Sequence, residues 1–157
     1  MRLSSLADYA VVLMSAAARH CGATRMNATT LSAETGIPLP TAQKLVSRLS
    51  AAGLLESSRG TGGGVRLSRP PAAITLADVV EAVEGPIAMT ACVESGTHDC
   101  NLEQDCRIRP HMDVANSAVR AALAGVTIAS LARDAVPLPS VAQPAAPAPV
   151  IETCAPL

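Results

Sequence analysis

A mainly α-helical fold is predicted, with a helix, tight turn and helix followed by a glycine-tipped hairpin and, further on, one long helix. Three observations predict it. Apolar residues recur at intervals of three and four in the first, third and last of these helices. Two short strand-like runs flank Arg59-Gly60-Thr61-Gly62-Gly63-Gly64. Phe and Trp are absent and Tyr9 is the one aromatic residue, so a core of Leu, Val, Ile, Met and Ala has to come from small, closely packed helices.

The first helix carries Leu3, Leu6, Ala10, Leu13 and Ala17 on one face, with Ser5 as its expected N-cap and its end near Arg19. A second short helix fits 27–35, capped by Asn27 and closed by Gly36, which takes the left-handed conformation a helix exit needs. After a turn, Pro40 suits the first turn of a third helix running to Ala52 and stopping at Gly53. Ala42, Leu45, Val46, Leu49 and Ala52 form its apolar stripe, and Pro40, Gln43, Lys44, Ser47 and Ala51 share the opposite face. That slim polar face suits entry into a major groove about 12 Å wide.

Residues 54–58 and 65–68 read as strands of a hairpin. Its glycines let the backbone approach a phosphate closely, while Arg59 reaches for a minor groove; together these make a wing. Gly60-x-Gly62 is no nucleotide loop, because no helix opens directly after it. Thr75, with Asp78 three residues on, caps a fourth helix that Gly85 ends. Residues 86–106 lack periodicity. A long helix then fits 110–123, and Met112, Ala115, Val119, Ala122 and Val126 form a short coiled-coil seam for a second copy of the chain.

The expected organisation is a winged helix-turn-helix over 1–85, a cysteine-bearing loop over 86–109, a dimerisation helix region over 110–133 and a disordered Pro/Ala-rich tail over 134–157. That tail holds six prolines in its last 23 residues. Charge is divided in the same sense. Residues 1–70 carry eight Lys/Arg against three Asp/Glu, and the remainder carries four against ten, as a nucleic-acid-binding head on an acidic regulatory body would. The scarcity of aromatics disfavours single-strand binding by base stacking, whereas duplex DNA needs no such platform. No nucleophile with a paired base, phosphate loop or catalytic carboxylate pair is legible, so no enzyme and no small-molecule substrate are expected. The longest apolar stretch, 9–18, is too short to span a bilayer, and no signal peptide is recognisable; a cytoplasmic protein is expected.

Five cysteines, odd in number and unevenly spaced, speak for thiols or metal ligation rather than a disulfide framework. Cys92, Cys100 and Cys106 share the irregular loop at spacing C-x7-C-x5-C, and thiolates on flexible backbone suit an iron-sulfur cluster. Zinc competes for such ligands, but structural zinc favours C-x(2–4)-C pairs, which are absent. Thiol-disulfide switching without metal is the third reading. Cys21 is expected as a small buried residue of the first helix, and Cys154 as a tail thiol.

Taken together, these residues resemble the winged-helix iron-sulfur cluster regulators, which include the isc and suf operon regulators and the nitric-oxide-sensitive repressors. The resemblance covers residues 1 to about 133. It is carried by Met1-Arg2-Leu3-Ser4 through Asp8-Tyr9-Ala10, Gly36-Ile37, the stretch from Leu49 to Leu55, Ser58-Arg59-Gly60-x-Gly62-Gly63-Gly64, Ile74-Thr75-Leu76 and Glu84-Gly85-Pro86. It implies a homodimeric, redox-sensing repressor on a pseudo-palindromic double-stranded operator, with recognition helices about 34 Å apart, most similar to regulators of SUF-type cluster-assembly genes. By position it puts Pro40, Thr41, Gln43, Lys44 and Ser47 on the recognition helix and Arg59, Gly60, Thr61 and Gly62 on the wing. Ser4 and Ser5 would lie against a phosphate. Cys92, Cys100 and Cys106 match three ligands of a cluster, with 2Fe-2S ahead of 4Fe-4S. The fourth ligand stays open. Isc-type members have His three residues beyond the last cysteine, where this chain has Arg109; Asp8 matches the aspartate that nitric-oxide-sensitive members supply from the partner, and His111 and His98 are the other candidates.

Overall fold

The computed structural model describes residues 3–21, 25–58, 60 and 63–133. The elements are α1 (Ser5–Arg19), α2 (Ala28–Thr35), α3 (Leu39–Ala51), β1 (Leu55–Ser58), β2 (Gly64–Leu67), α4 (Leu76–Glu84), α5 (Arg109–Ala124) and α6 (Ile128–Ala132), with short 3-10 turns at Pro71–Ala73 and Glu103–Asp105. The predicted mainly helical fold with one two-stranded wing is therefore what forms. Residues 59, 61–62 and the tail from 134 lie outside the described residues, and so do the readings made of them.

The local signals work as the residue chemistry requires. Asn27 Oδ1 accepts the Thr30 N–H, and Gly36, at φ 73°, closes α2. Pro40 sits in the first turn of α3, and Gly53, also at φ 73°, releases the chain into β1. Thr75 and Asp78 form a reciprocal capping box on α4. The first helix departs by one residue from expectation. Ser4, not Ser5, is the N-cap, because its hydroxyl is the one that accepts the Ala7 N–H.

β1 and β2 pair antiparallel with Leu55 opposite Leu67 and Ser58 opposite Gly64. Met26 forms an isolated bridge with Val65, which ties the segment before α2 to the two-stranded sheet at the wing root. Gly64 is dictated by this junction: a Cβ there would stand 2.5 Å from the Met26 carbonyl oxygen.

The core packs Leu13 and Met14 of α1 against Leu31, Leu45, Leu49, Ile74, Val79 and Ile128, all fully buried. Ile128 belongs to α6, a short helix the periodicity did not reveal. The chain returns after α5 to complete the head: Leu76 N–H donates to the Val126 carbonyl, Ile128 N–H to Ile74, and Ser15 Oγ to Leu131. Thr127 caps α6 through the Ser130 N–H, and this cap was the signal available in the sequence.

A second, smaller cluster joins Ala77, Val80 and Ile87 to Leu3, Leu76, Val119 and Leu123. It corrects the expected seam on α5. Val119 faces its own domain, Asn116 is buried beside it, and Val126 lies past the end of the helix at Gly125. Ala122 remains exposed, and the large outward apolar side chains of the loop and α5 are Met89, Leu102, Ile108 and Val114, the last 71% exposed.

The N-terminus of α1 is tied to the end of α4. Ser4 N–H donates to Glu84 Oε1 at 2.8 Å, and the Ser4 hydroxyl followed by this N–H holds the Glu84 carboxyl below the ordinary glutamate value of 4.5. A carboxylate whose folded value is depressed contributes stability that is present above its unfolded value and lost as pH falls through the folded one. The denaturation midpoints of the parent chain and Glu84→Gln should therefore differ above about pH 4.5 and converge in more acid solution; a pH-independent difference would contradict the assignment. Ile128→Ala should cost about 2–5 kcal/mol in urea unfolding. Val114→Ala, at an exposed site, should change little, and equal effects of the two would refute the place given to α6.

Candidate DNA interface and cysteine loop

α3 buries Ala42, Leu45 and Leu49 and leaves Pro40, Gln43, Lys44 and Ser47 exposed, with Thr41 half-buried at its start. The sequence reading of its two faces holds, except that Ala52 is exposed past the helix end. Lys44 and Arg48 are the charges on this helix, and no acidic residue lies on it. Arg48 is not free to face outward alone: its Nη1 donates to the Val83 carbonyl at 2.8 Å, satisfying a last-turn acceptor of α4. Gly60, at φ 99°, is exposed at the wing, while Arg59, Thr61 and Gly62 lie outside the described residues. At the wing root Arg25, which sequence reasoning missed, donates to the Ser58 hydroxyl, and Arg66 pairs with Glu56 across the strands. Ser4 is exposed, but its backbone N–H and hydroxyl are engaged by Glu84 and Ala7.

The loop between α4 and α5 has two parts. In the first, the chain from 87 to 98 turns back on itself. Ser95 Oγ donates to the Ile87 carbonyl at 2.9 Å, Gly96 N–H to Val93 at 2.7 Å, and His98 N–H to Ala91 at 2.8 Å. Gly96 is required, since a Cβ would stand 2.3 Å from the Ala91 carbonyl oxygen. Cys92 and Val93 are buried within this turn, and Cys92 Sγ lies 3.4 Å from Thr90 Oγ1. Asn116 of α5 docks it, donating from Nδ2 to Ile87 O and accepting the Met89 N–H at Oδ1.

The second part, 99–108, holds Cys100 and Cys106, both half-buried, on either side of the 3-10 turn. Glu103 is its electrostatic centre. His98 Nδ1 lies 2.8 Å from Glu103 Oε1 and Arg109 Nη1 3.3 Å from the same oxygen. The hydrogen bond to Glu103 raises the His98 pKa, so the imidazolium is favoured beside this carboxylate. Arg109 thus serves Glu103.

The three loop cysteines are free thiols, and so is Cys21, which follows α1 and is exposed rather than buried as expected. Cys154 is outside the described residues. Asp8 on α1, His98 and His111 are all exposed. Among the described residues no three His, Cys, Asp or Glu side chains stand close enough together to hold a metal ion. The donor set itself, three reduced thiols on one segment, has the chemistry an iron-sulfur cluster takes, with Cys100 and Cys106 accessible and Cys92 held back in its turn. No helix among the described residues is long and apolar enough to cross a membrane.

Comparison with known proteins agrees with this architecture. The sequence pattern of the Rrf2 family, described as "Iron-dependent Transcriptional regulator", matches residues 3–134. The chain is 33% identical to the HTH-type transcriptional regulator IscR of Vibrio cholerae over 134 residues, covering 85% of this chain and 76% of that protein. It is 42% identical to Protein aau3 of Rhizobium meliloti over 90 residues, 57% of this chain and 58% of that relative's length. Among solved structures, CymR, the global cysteine regulator of B. subtilis, superposes with a TM-score of 0.66 at 27% identity, covering 84% of this chain and 96% of that one. IscR of T. potens superposes at 0.61 with 23% identity over 83% and 85%, a likeness of fold. These relatives are transcription regulators and not enzymes, and the chain belongs to the Rrf2 family.

Proposed function

We propose that this regulator is a homodimeric repressor whose affinity for a double-stranded operator is set by an iron-sulfur cluster on Cys92, Cys100 and Cys106. The observation that carries the reading is the placing of three cysteines free of disulfides on one loop, which packs through α5 and α4 against the winged-helix head, in a family described as iron-dependent. Pro40, Thr41, Gln43, Lys44 and Ser47 would face the major groove, and Arg59 with Gly60, Thr61 and Gly62 the adjoining minor groove and phosphates. Ser4, whose N–H is held by Glu84, would reach a phosphate only by exchanging that carboxylate for it. Asp8 of the second subunit is the preferred fourth ligand, ahead of His111 and His98, and a 2Fe-2S cluster is preferred over 4Fe-4S. When bound, the group supplies an oxidation-sensitive crosslink among the loop thiols. What the chain itself contributes is a rigid path from those thiols to α3. By resemblance the controlled genes are those of SUF-type cluster assembly.

A second reading has one observation in its favour: the three thiols do not converge in the single chain. It makes the protein a thiol-based regulator without metal, answering oxidation or nitric oxide at the cysteines.

Protein purified without oxygen decides between them. The first reading expects visible absorption with iron and sulfide in equal amounts, abolished by Cys100→Ala, and operator affinity that differs between the loaded and stripped forms. A colourless chain that still binds its operator, with binding changed by a thiol oxidant, transfers the claim to the second. Under either, operator binding weakens steeply with salt, and Lys44→Ala and Arg59→Ala each cost roughly 1–3 kcal/mol. Salt-independent binding untouched by both substitutions would overturn the interface assignment.

A further inference from the structure

Asn116 stands out on α5. It is the only buried polar side chain among the described residues, 6% exposed, in the stretch of helix that Val119 and Leu123 use to pack on α4. A Leu or Val at that position would extend the apolar cluster. The amide instead satisfies two backbone groups 27 and 29 residues away, the Met89 N–H at 2.9 Å and the Ile87 carbonyl at 3.1 Å. Both belong to the turn that encloses Cys92, and the Ile87 carbonyl also receives the Ser95 hydroxyl, which closes that turn. Thr90, next to Met89, places its hydroxyl 3.4 Å from the Cys92 sulfur. The Ile87 carbonyl keeps the Ser95 hydroxyl without Asn116, so what the amide adds is the bond to Met89 N–H and the tie of the whole turn to α5. Cys106 is tied to the first residue of α5, its carbonyl accepting the Arg109 N–H at 3.2 Å while the Arg109 side chain reaches Glu103, and among the described contacts Cys100 has no hydrogen bond to the helix.

We propose that Asn116 is the positioning residue that locks the turn around Cys92 to the middle of α5, so that a change at Cys92 is passed to the helix. The coupling half of this inference rests on the reading of the loop as the sensing site; the lock itself does not. The amide, the Met89 N–H and the Ile87 carbonyl make a two-bond clasp, and the side chains that could replace Asn116 separate its parts. Asp keeps the acceptor for Met89 N–H but turns a second acceptor toward Ile87 O; Leu removes both bonds while filling the volume.

The test starts from the reduced full-length protein and follows alkylation by iodoacetamide, peptide by peptide, with exposed Cys21 as the internal reference. Asn116→Leu should speed Cys92 at least about tenfold at unchanged Cys21 rate, with Asn116→Asp intermediate. A Leu131→Ala chain matched in thermal midpoint supplies the comparison for general loosening. Equal acceleration of Cys92 in Leu131→Ala and Asn116→Leu, or none in Asn116→Leu, overturns the proposal. The second arm measures operator affinity before and after reconstitution with iron and sulfide. In Asn116→Leu the ratio of the two affinities should shrink at least about fivefold toward one while the unloaded affinity stays at the parent value. A parent-sized ratio in the variant removes the coupling. A parent chain that takes up no iron or sulfide yet shows the Asn116-dependent protection of Cys92 supports the clasp while removing the cofactor reading.

Discussion

The structure depends on α4 being buried on two sides at once. Val79 and Val83 enter the core of the head with Leu13, Leu45 and Leu49, while Ala77 and Val80 pack with Val119 and Leu123 of α5. A nine-residue helix has little propensity to stand alone, so its placement comes from this double burial together with its ends. The Thr75–Asp78 box fixes its start, and Arg48 of α3 occupies a carbonyl at its finish. The Ser4–Glu84 bond adds the N-terminus of α1 to the same finish. Head and cysteine loop therefore share one rigid wall instead of meeting at a flexible joint.

This arrangement explains which parts of the molecule were legible in the residues. Wherever local chemistry decides, as with Asn27 and Gly36 on α2, Pro40 and Gly53 on α3, or Thr75 with Asp78 on α4, the pattern identified the element to within a residue or two. The wing was read from its glycines, and the outward face of α3 from its phase. What failed was long-range. Nothing periodic in a five-residue segment says that Ile128 returns to the first core, and the stripe on α5 fits a partner helix and α4 equally well until Val119 is placed. Cys21 was misplaced for the same reason, since burial at the end of a helix is decided by what lies opposite.

The cysteine loop was legible in composition and not in shape. Spacing identified three thiols on irregular backbone, yet it could not distinguish one thiol sealed in a hydrogen-bonded turn from two on a more open segment. That division is made by Ser95, Gly96 and the amide of Asn116, residue types common in any loop or helix surface. The one available hint was phase: an amide at 116 falls among the positions where α5 is otherwise apolar.

A chain of close contacts consequently links the loop to α3. Ile87 joins the second cluster directly and takes the Asn116 bond, so the turn around Cys92 cannot shift without disturbing the packing of Val80 and Val119. α4 transmits that disturbance as a body, because its opposite face is fully packed and interiors at such density deform by displacement of whole elements rather than by local yielding. Its last-turn carbonyl is held by Arg48, one helical turn beyond Lys44 on α3. Under the proposed function the sensing thiol and the DNA-reading side chains are thus separated by one helix that has contacts on both faces, and the direction of regulation is set by which position of α4 presents the polar face of α3 to the groove.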